Sequence, residues 1–488
     1  MLKKVSQAWK FCASSPSMPK WLLWGAVNLV IAGYMTYGLV APASSMKSAW
    51  LPGETTHGHY QIELDCNACH DPASASDGAD ASDVMQDACI RCHGQQLKDS
   101  NDTHPAKKFN DPTNAARLAI LDAQDCLTCH REHVPEQTLT MGLTVPQDYC
   151  WHCHQEVAES RPSHAGMAYD SCATAGCHNY HDNRAIYEKY LDNHFGEPDF
   201  LELASVMPRE PHAYWRGQKD AAPLDLTGAD GPQEAMADRK LMADWEETAH
   251  AAAGVNCSGC HGPSNDISEW TNTVALSTCQ QCHESEAETF LQGKHGMRLA
   301  AGMSPMTPQQ ARLPMHVGAH HRELTCSACH DGHRFDTKYA AAEACLKCHA
   351  DDHSMAYVDS SHAQLWLNEL DGSGEVGSGV SCATCHMPRV DVDGVVHVQH
   401  DQSSNLRPNE KMAREVCTQC HGLEYSLSSL ADSSAKQHCY SQAPEERTES
   451  VQMAHDWFVE QEAKRARRQS KRTKSDSSVS NQAGDGSE

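Results

Sequence analysis

Phenylalanine is scarce in this chain: seven occur in 488 residues, and all aromatics together make up 6%. A chain of this length ordinarily fills two to four cores with Leu, Ile, Val and Phe. The shortage excludes an interior built from such side chains alone. Basic residues are few as well, 39 Lys and Arg against 65 Asp and Glu, for a formal charge of −26. An acidic surface repels nucleic-acid phosphates, so nucleic-acid binding is excluded, while cationic or metalloprotein partners suit it. What is abundant instead is cysteine and histidine, 24 and 32 residues. In a secreted chain such cysteines would frame disulfides and in a cytosolic one zinc sites, and their spacing decides between these.

Lys3, Lys4, Lys10 and Lys20 precede the run WLLWGAVNLVIAGYMTYGLV, Trp21 to Val40, which holds no charged residue. At about 1.5 Å per residue such a helix spans the ~30 Å hydrocarbon core of a bilayer. Basic residues before the run and none soon after it predict residues 1–20 in the cytoplasm, a single transmembrane anchor over 21–42, and the bulk of the chain in the periplasm. Ala41-Pro42-Ala43 resembles a signal cleavage site, but the run exceeds the usual apolar length of a signal peptide, about 7–15 residues.

Ten segments read C-x-x-C-H. They are Cys66, Cys69 and His70; Cys89, Cys92 and His93; Cys126, Cys129 and His130; Cys150, Cys153 and His154; Cys257, Cys260 and His261; Cys279, Cys282 and His283; Cys326, Cys329 and His330; Cys345, Cys348 and His349; Cys382, Cys385 and His386; Cys417, Cys420 and His421. A further one, fifth in chain order, has two more residues between its thiols: Cys172, Cys177 and His178. Chance at this composition gives roughly 0.1 such motif. Two thiols three residues apart on one helical turn can each add to a vinyl group of one porphyrin. The next residue then turns its imidazole to the iron. Zinc ribbons need paired C-x-x-C but no His in the fifth place each time. The spacing therefore predicts eleven covalent haem c groups. Cys12 and Cys439 lie outside the motifs and are expected to be free thiols.

Eleven proximal His leave 21 of the 32, enough to give every iron a second imidazole. The candidate distal ligands are His57, His59, His104, His133, His164, His181, His250, His295, His316, His333 and His400. Which pairs with which iron is not readable from spacing.

Motifs this dense predict a mostly α fold with much irregular loop, stapled by haem, with stacked porphyrins as its interior. Residues 43–183 form a five-haem domain and 257–440 a six-haem domain. Between them, 184–256 is haem-free, with helices expected near Arg184–Asp192 and from Gln233 to Ala253. Residues 441–488 read as a polar, disordered tail. Lys464 to Lys474 in that tail holds seven basic residues in eleven, either a solvated stretch or a docking element for an acidic partner or anionic lipid.

The segments VSCATCHMPRVDVDGVVHVQH and REVCTQCHG, within residues 380–422, resemble the last two haem sites of the multihaem superfamily of hydroxylamine oxidoreductase and the pentahaem nitrite reductases. SSHAQLW before them matches the place where that family carries a distal-pocket His, here His362. The resemblance implies that haems four to eleven form an octahaem-like module, with the substrate iron at Cys279, Cys282 and His283. It also implies that His353 and Tyr357, in ADDHSMAY, stand near that pocket with His362 as catalytic residues. The nitrite reductases have Lys where this chain has His283, which fits the hydroxylamine oxidoreductase pattern.

Two functions follow. The first is electron transfer along bis-His haems from a membrane quinol-linked donor to a periplasmic or outer-membrane acceptor. The second is redox catalysis on a small nitrogen or sulfur compound at one open iron, with a distal His moving protons.

Overall fold

A computed structural model describes residues 20–40, 51–71, 81–100, 109–161, 222–262, 270–334, 336–392, 394–406 and 411–445, a helix ending at 482, and short pieces between 104 and 202. Lys3, Lys4, Lys10, Cys12, Cys177, His178 and His212 lie outside the described residues, as does all of the helix expected at Arg184–Asp192 except Tyr190.

Motif spacing dictates the local backbone. In seven motifs the His N–H donates to the carbonyl of the first Cys at 2.8–3.0 Å and closes a single helical turn, at His70, His130, His154, His283, His330, His349 and His421. Cys257–His261 and Cys382–His386 are themselves short helices, and the Cys89 motif lies inside the helix Ala81–Asp99. Asp125, Asn256 and Ser381 start three of these turns by accepting from the amides of Leu127, Cys257 and Thr384, each such cap contributing about 1 kcal/mol.

The described regular structure is mostly short helices separated by irregular loops. The haem-dense pattern gave no reason to expect a sheet, yet one small hairpin forms. It pairs Arg389–Val392 antiparallel with Val395–Val398, from Arg389↔Val398 to Val392↔Val395. Gly394 at its tip sits at φ 83°, where a side chain would be strained, and donates to Asp391 Oδ1 at 2.8 Å. The helix expected over Gln233–Ala253 is cut into Gln233–Met236, Arg239–Glu246 and Ala249–Ala252. Asp238 and Thr248 each cap a new start, so their side chains satisfy amides that an unbroken helix would have bonded to its own backbone.

Apolar packing is split into small clusters. One joins Ala342, Tyr357, Ala363, Trp366 and the free thiol Cys439; another joins Met412, Ala413, Val416 and Leu430. Smaller ones centre on Leu423, on Met242, Trp245 and Ala251, and on Met306, Leu324 and Ala328.

The polar composition of 441–488 predicts disorder, but a helix runs from Glu449 to Gln482. Its base is anchored: Val451 is buried, Phe458 stacks on Phe195 at 4.9 Å, and Arg447 just before it pairs with Glu424 at 2.7 Å. Beyond Phe458 the chain is rich in Glu, Gln, Lys, Arg and Ala, all strong helix formers. Glu460 and Lys464 pair at 2.7 Å one turn apart. Anchoring supplies the nucleus that a polar segment alone lacks.

The apolar N-terminal run is a helix, Lys20–Val40. Asn28 donates to Trp24 O at 2.8 Å and Thr36 to Ala32 O at 2.7 Å, so its polar side chains bond within the helix. Among the described residues no helix is long and apolar enough to cross a membrane.

Candidate haem-binding sites

Nine of the eleven motif histidines face one other histidine across a gap of nearly constant width. Ring centres are 5.9 Å apart for His93 and His59, 6.3 Å for His130 and His181, 6.0 Å for His154 and His104, and 5.7 Å for His261 and His333. The gap is 6.1 Å for His283 and His250, 6.4 Å for His330 and His400, and 6.2 Å for His349 and His295. It is 6.0 Å for His386 and His353 and 6.2 Å for His421 and His362. Two imidazoles bound to opposite sides of one metal, with metal–nitrogen bonds of about 2 Å and ring centres about 1.1 Å further out, stand about 6.2 Å apart. The observed gaps fit that sum.

Ring orientation agrees. A ligating imidazole must direct Nε2 at the metal, and a hydrogen bond at Nδ1 fixes that choice. Nδ1 bonds a backbone carbonyl in His104 (Tyr180 O, 2.9 Å), His130 (Gly142 O, 3.2 Å), His261 (Thr271 O, 2.7 Å), His353 (Lys436 O, 2.5 Å), His400 (Val398 O, 2.8 Å) and His421 (Asp199 O, 3.1 Å). His93 Nδ1 bonds Gln96 Oε1 at 3.0 Å, and His59 Nδ1 bonds Glu132 Oε1 at 2.6 Å. Burial also favours neutral rings, pushing His295, His362 and His386 down to about 4, with neighbouring imidazoles adding to the effect. A neutral ring keeps the lone pair a metal needs.

Seven expected distal candidates, His59, His104, His181, His250, His295, His333 and His400, thus face a motif His. His250, just ahead of the sixth motif in sequence, faces His283 of the seventh motif rather than His261 of the sixth. The three residues that the family resemblance makes catalytic fall elsewhere than one shared pocket. His362 stands across from His421 and His353 across from His386, while buried Tyr357 donates its hydroxyl to Val380 O at 2.9 Å. Of the other candidates, His57 Nδ1 lies 2.9 Å from Lys294 Nζ, and His133 Nδ1 bonds Gly53 O at 2.9 Å. His164 and His316 lie in loops, their amides donating to Arg161 O and Cys348 O.

Cysteines of consecutive motifs are neighbours. The thiols of Cys89 and Cys126, of Cys279 and Cys326, and of Cys345 and Cys382 are hydrogen-bonded to each other. Cys69 and Cys92, Cys129 and Cys150, and Cys150 and Cys172 lie within electrostatic reach of each other. The same holds for Cys260 and Cys279, Cys329 and Cys345, and Cys385 and Cys417. Motifs one to five and six to eleven therefore form two unbroken successions in space. The two meet where Gln96, bonded to His93, donates to buried Asp401 Oδ2 at 3.3 Å, next to His400.

Glu132, Gln96 and Asp401 are the residues that motif reasoning missed. Burial alone would raise the Glu132 carboxyl, but hydrogen bonds from His59 and from the amide and hydroxyl of Thr56 override it and hold it at about 2. Nothing in the sequence separates these side chains from the chain's many other acids and amides.

The sequence pattern of cytochrome c3 matches residues 58–155 and 249–350, which enclose motifs one to four and six to nine. The chain is 26% identical over 247 residues to the high-molecular-weight cytochrome c of Nitratidesulfovibrio vulgaris, covering 47% of this chain and 38% of that protein. It is 21% identical over 187 residues to the multihaem cytochrome MtrA of Shewanella baltica, covering 35% and 43%. It is 23% identical over 157 residues to the dissimilatory sulfite reductase MccA of Wolinella succinogenes, covering 28% and 22%. The chain thus spans well under half the length of each of these relatives. No solved structure matches. With its motifs and facing imidazoles, the chain is similar to multihaem c-type cytochromes, a likeness that supports covalently bound haem c as its cofactor and, broadly, electron transfer.

Proposed function

We propose that this chain is a membrane-anchored relay of eleven haem c groups that takes electrons from a quinol-linked donor and delivers them to a periplasmic or outer-membrane acceptor. The observation that carries the reading is the set of nine facing imidazole pairs, 5.7–6.4 Å between ring centres. An iron held by two protein imidazoles has no open position, so it exchanges electrons without binding substrate. Bound haem supplies the one-electron chemistry. The chain's own residues would hold these groups: the motif cysteines would attach them, the paired His would ligate them, and the Nδ1 hydrogen bonds would set the ligand strength of each imidazole.

The anchor is read from the uncharged sequence run Trp21–Val40 and not from the fold, in which no described helix is long and apolar enough to cross a membrane; Asn28 and Thr36 in the run bond within their helix, as lipid demands. Trp21 and Trp24 near its start and Tyr34 and Tyr37 toward its end suit the two interfaces. Retention in the membrane fraction through high-salt washes, with release by detergent, is the expected result; release by salt alone overturns the anchor.

The enzyme reading needs an open iron, and the resemblance to the hydroxylamine oxidoreductase superfamily puts it at His283. There His250 stands opposite at 6.1 Å. Low-temperature EPR of the oxidised protein tests this, with nitrite, hydroxylamine and sulfite added in turn. Only low-spin ferric signals, indifferent to all three, are expected. A high-spin signal that responds to one of them would overturn the pure relay.

A further inference from the structure

The base of the C-terminal helix, which carries the basic stretch further along, packs beside the eleventh motif. Phe458, on the helix, stacks on Phe195, which packs with Tyr190 on buried Leu423. Tyr190 Oη is 2.9 Å from Thr418 Oγ1, inside the motif itself. Arg447 reaches Glu424, the residue before Tyr425, whose ring stacks on His421 at 5.1 Å. At about 1.5 Å per residue, Lys464 to Lys471 rise roughly 9–20 Å above Phe458.

Every side chain from Glu462 to Lys471 is exposed, and the stretch from Gln461 to Lys474 holds seven basic residues against one acid. The whole chain carries −26, so this arm is a local reversal of the molecule's field. From Glu460 to Lys474 the arm has no large apolar side chain to bury in lipid. The same end of the molecule also presents an exposed apolar ring. Phe200, 66% exposed, meets His421 edge-on at 5.0 Å.

We infer that the arm and Phe200 form the docking surface for an acidic redox protein that exchanges electrons through the haem of Cys417, Cys420 and His421. This rests on the relay reading and names the partner class at one of its ends. The arm steers the partner by charge, and Phe200 provides the small apolar contact beside the haem ligand. Steering of this kind raises the association rate and fades as salt screens it.

The test measures stopped-flow electron exchange between the full-length protein and flavodoxin, an acidic one-electron protein. The small cation hexaammineruthenium serves as a control that needs no docking. With flavodoxin the second-order rate constant is expected to fall steeply between about 10 mM and about 200 mM salt. The charge reversal K464E/R465E/R467E/R468E should lower it at least about tenfold at low salt and flatten its salt dependence, with the haem spectrum and the hexaammineruthenium rate unchanged. The neutral variant K464Q/R465Q/R467Q/R468Q should fall between, and Phe200→Ser should slow exchange while keeping the salt dependence. A flavodoxin rate indifferent to the reversal overturns the inference. So does a reversal that leaves that rate intact and abolishes only binding to phosphatidylglycerol vesicles, which would make the occupant a membrane. Loss of the hexaammineruthenium rate in the unmodified protein would instead be failure of the relay.

Discussion

The two successions of motifs use one chemistry in two settings. Among the described residues before 182, the buried apolar side chains are Ala88 and Tyr149. The segment after 222 has four clusters of its own, around Trp245, Leu324, Trp366 and Leu430. Both halves tie distant chain together through facing imidazoles, such as His130 with His181 and His261 with His333. Among its described residues the first half buries little else that is apolar. Where side-chain burial is this sparse, cofactor attachment is the main source of folding free energy, as in small metal-dependent domains.

The largest expected effect follows from that contrast. In a host lacking the machinery that attaches haem, residues 51–181 should be digested first under limited proteolysis, while fragments from 222–445 survive longer. Mass spectrometry of the digest reads this directly. Equal lability of the two halves would mean that the apolar clusters of the second contribute nothing on their own.

A smaller effect belongs to the second half alone. Leu430 is 1% exposed and packs with Met412, Ala413 and Val416. Leu430→Ala leaves a cavity and should cost about 2–5 kcal/mol, seen as a lower denaturant midpoint with haem content unchanged. Among the described residues before 182 no buried aliphatic side chain larger than Ala88 offers a site where a truncation would cost as much.

The contrast also explains what the sequence made legible. Attachment is local chemistry: thiol, thiol and imidazole sit on one turn, so cysteines and proximal His can be read from spacing, and the turns at Cys126 or Cys382 form as that spacing demands. Ligand pairing is not local. His250 and His283 are 33 residues apart and His261 and His333 are 72 apart, and no periodicity links them. The family likeness placed His362 by a motif match and His353 by its neighbourhood at one pocket, whereas the fold sets them opposite His421 and His386. The C-terminal helix was hidden for another reason. Its polarity reads as disorder, and the anchoring that lets propensity act comes from buried Val451, from Phe458 on Phe195 and from Arg447 on Glu424.

The finest difference between the halves lies at Nδ1. In the first, Glu132 accepts from His59 at 2.6 Å; in the second, the carboxylates near motif His are further away, Asp336 at 3.6 Å from His330 and Asp351 at 3.6 Å from His349. A carboxylate this close makes the imidazole a stronger donor and stabilises ferric iron, so the haem of Cys89, Cys92 and His93 should have a lower potential than its neighbours. Glu132→Gln keeps the hydrogen bond but removes the charge, and should raise that one potential by tens of mV in an EPR-monitored redox titration. Asp336→Asn and Asp351→Asn should move theirs less. Because the Glu132 carboxyl is held at about 2, below its ordinary value, the contact is fully present at neutral pH. Its stabilisation is lost only as pH falls through the ordinary carboxyl range toward 2. A Glu132→Gln variant with no potential displaced, or one in which the Asp variants move further, would erase this distinction between the halves and leave the carboxylate with only its link to Thr56.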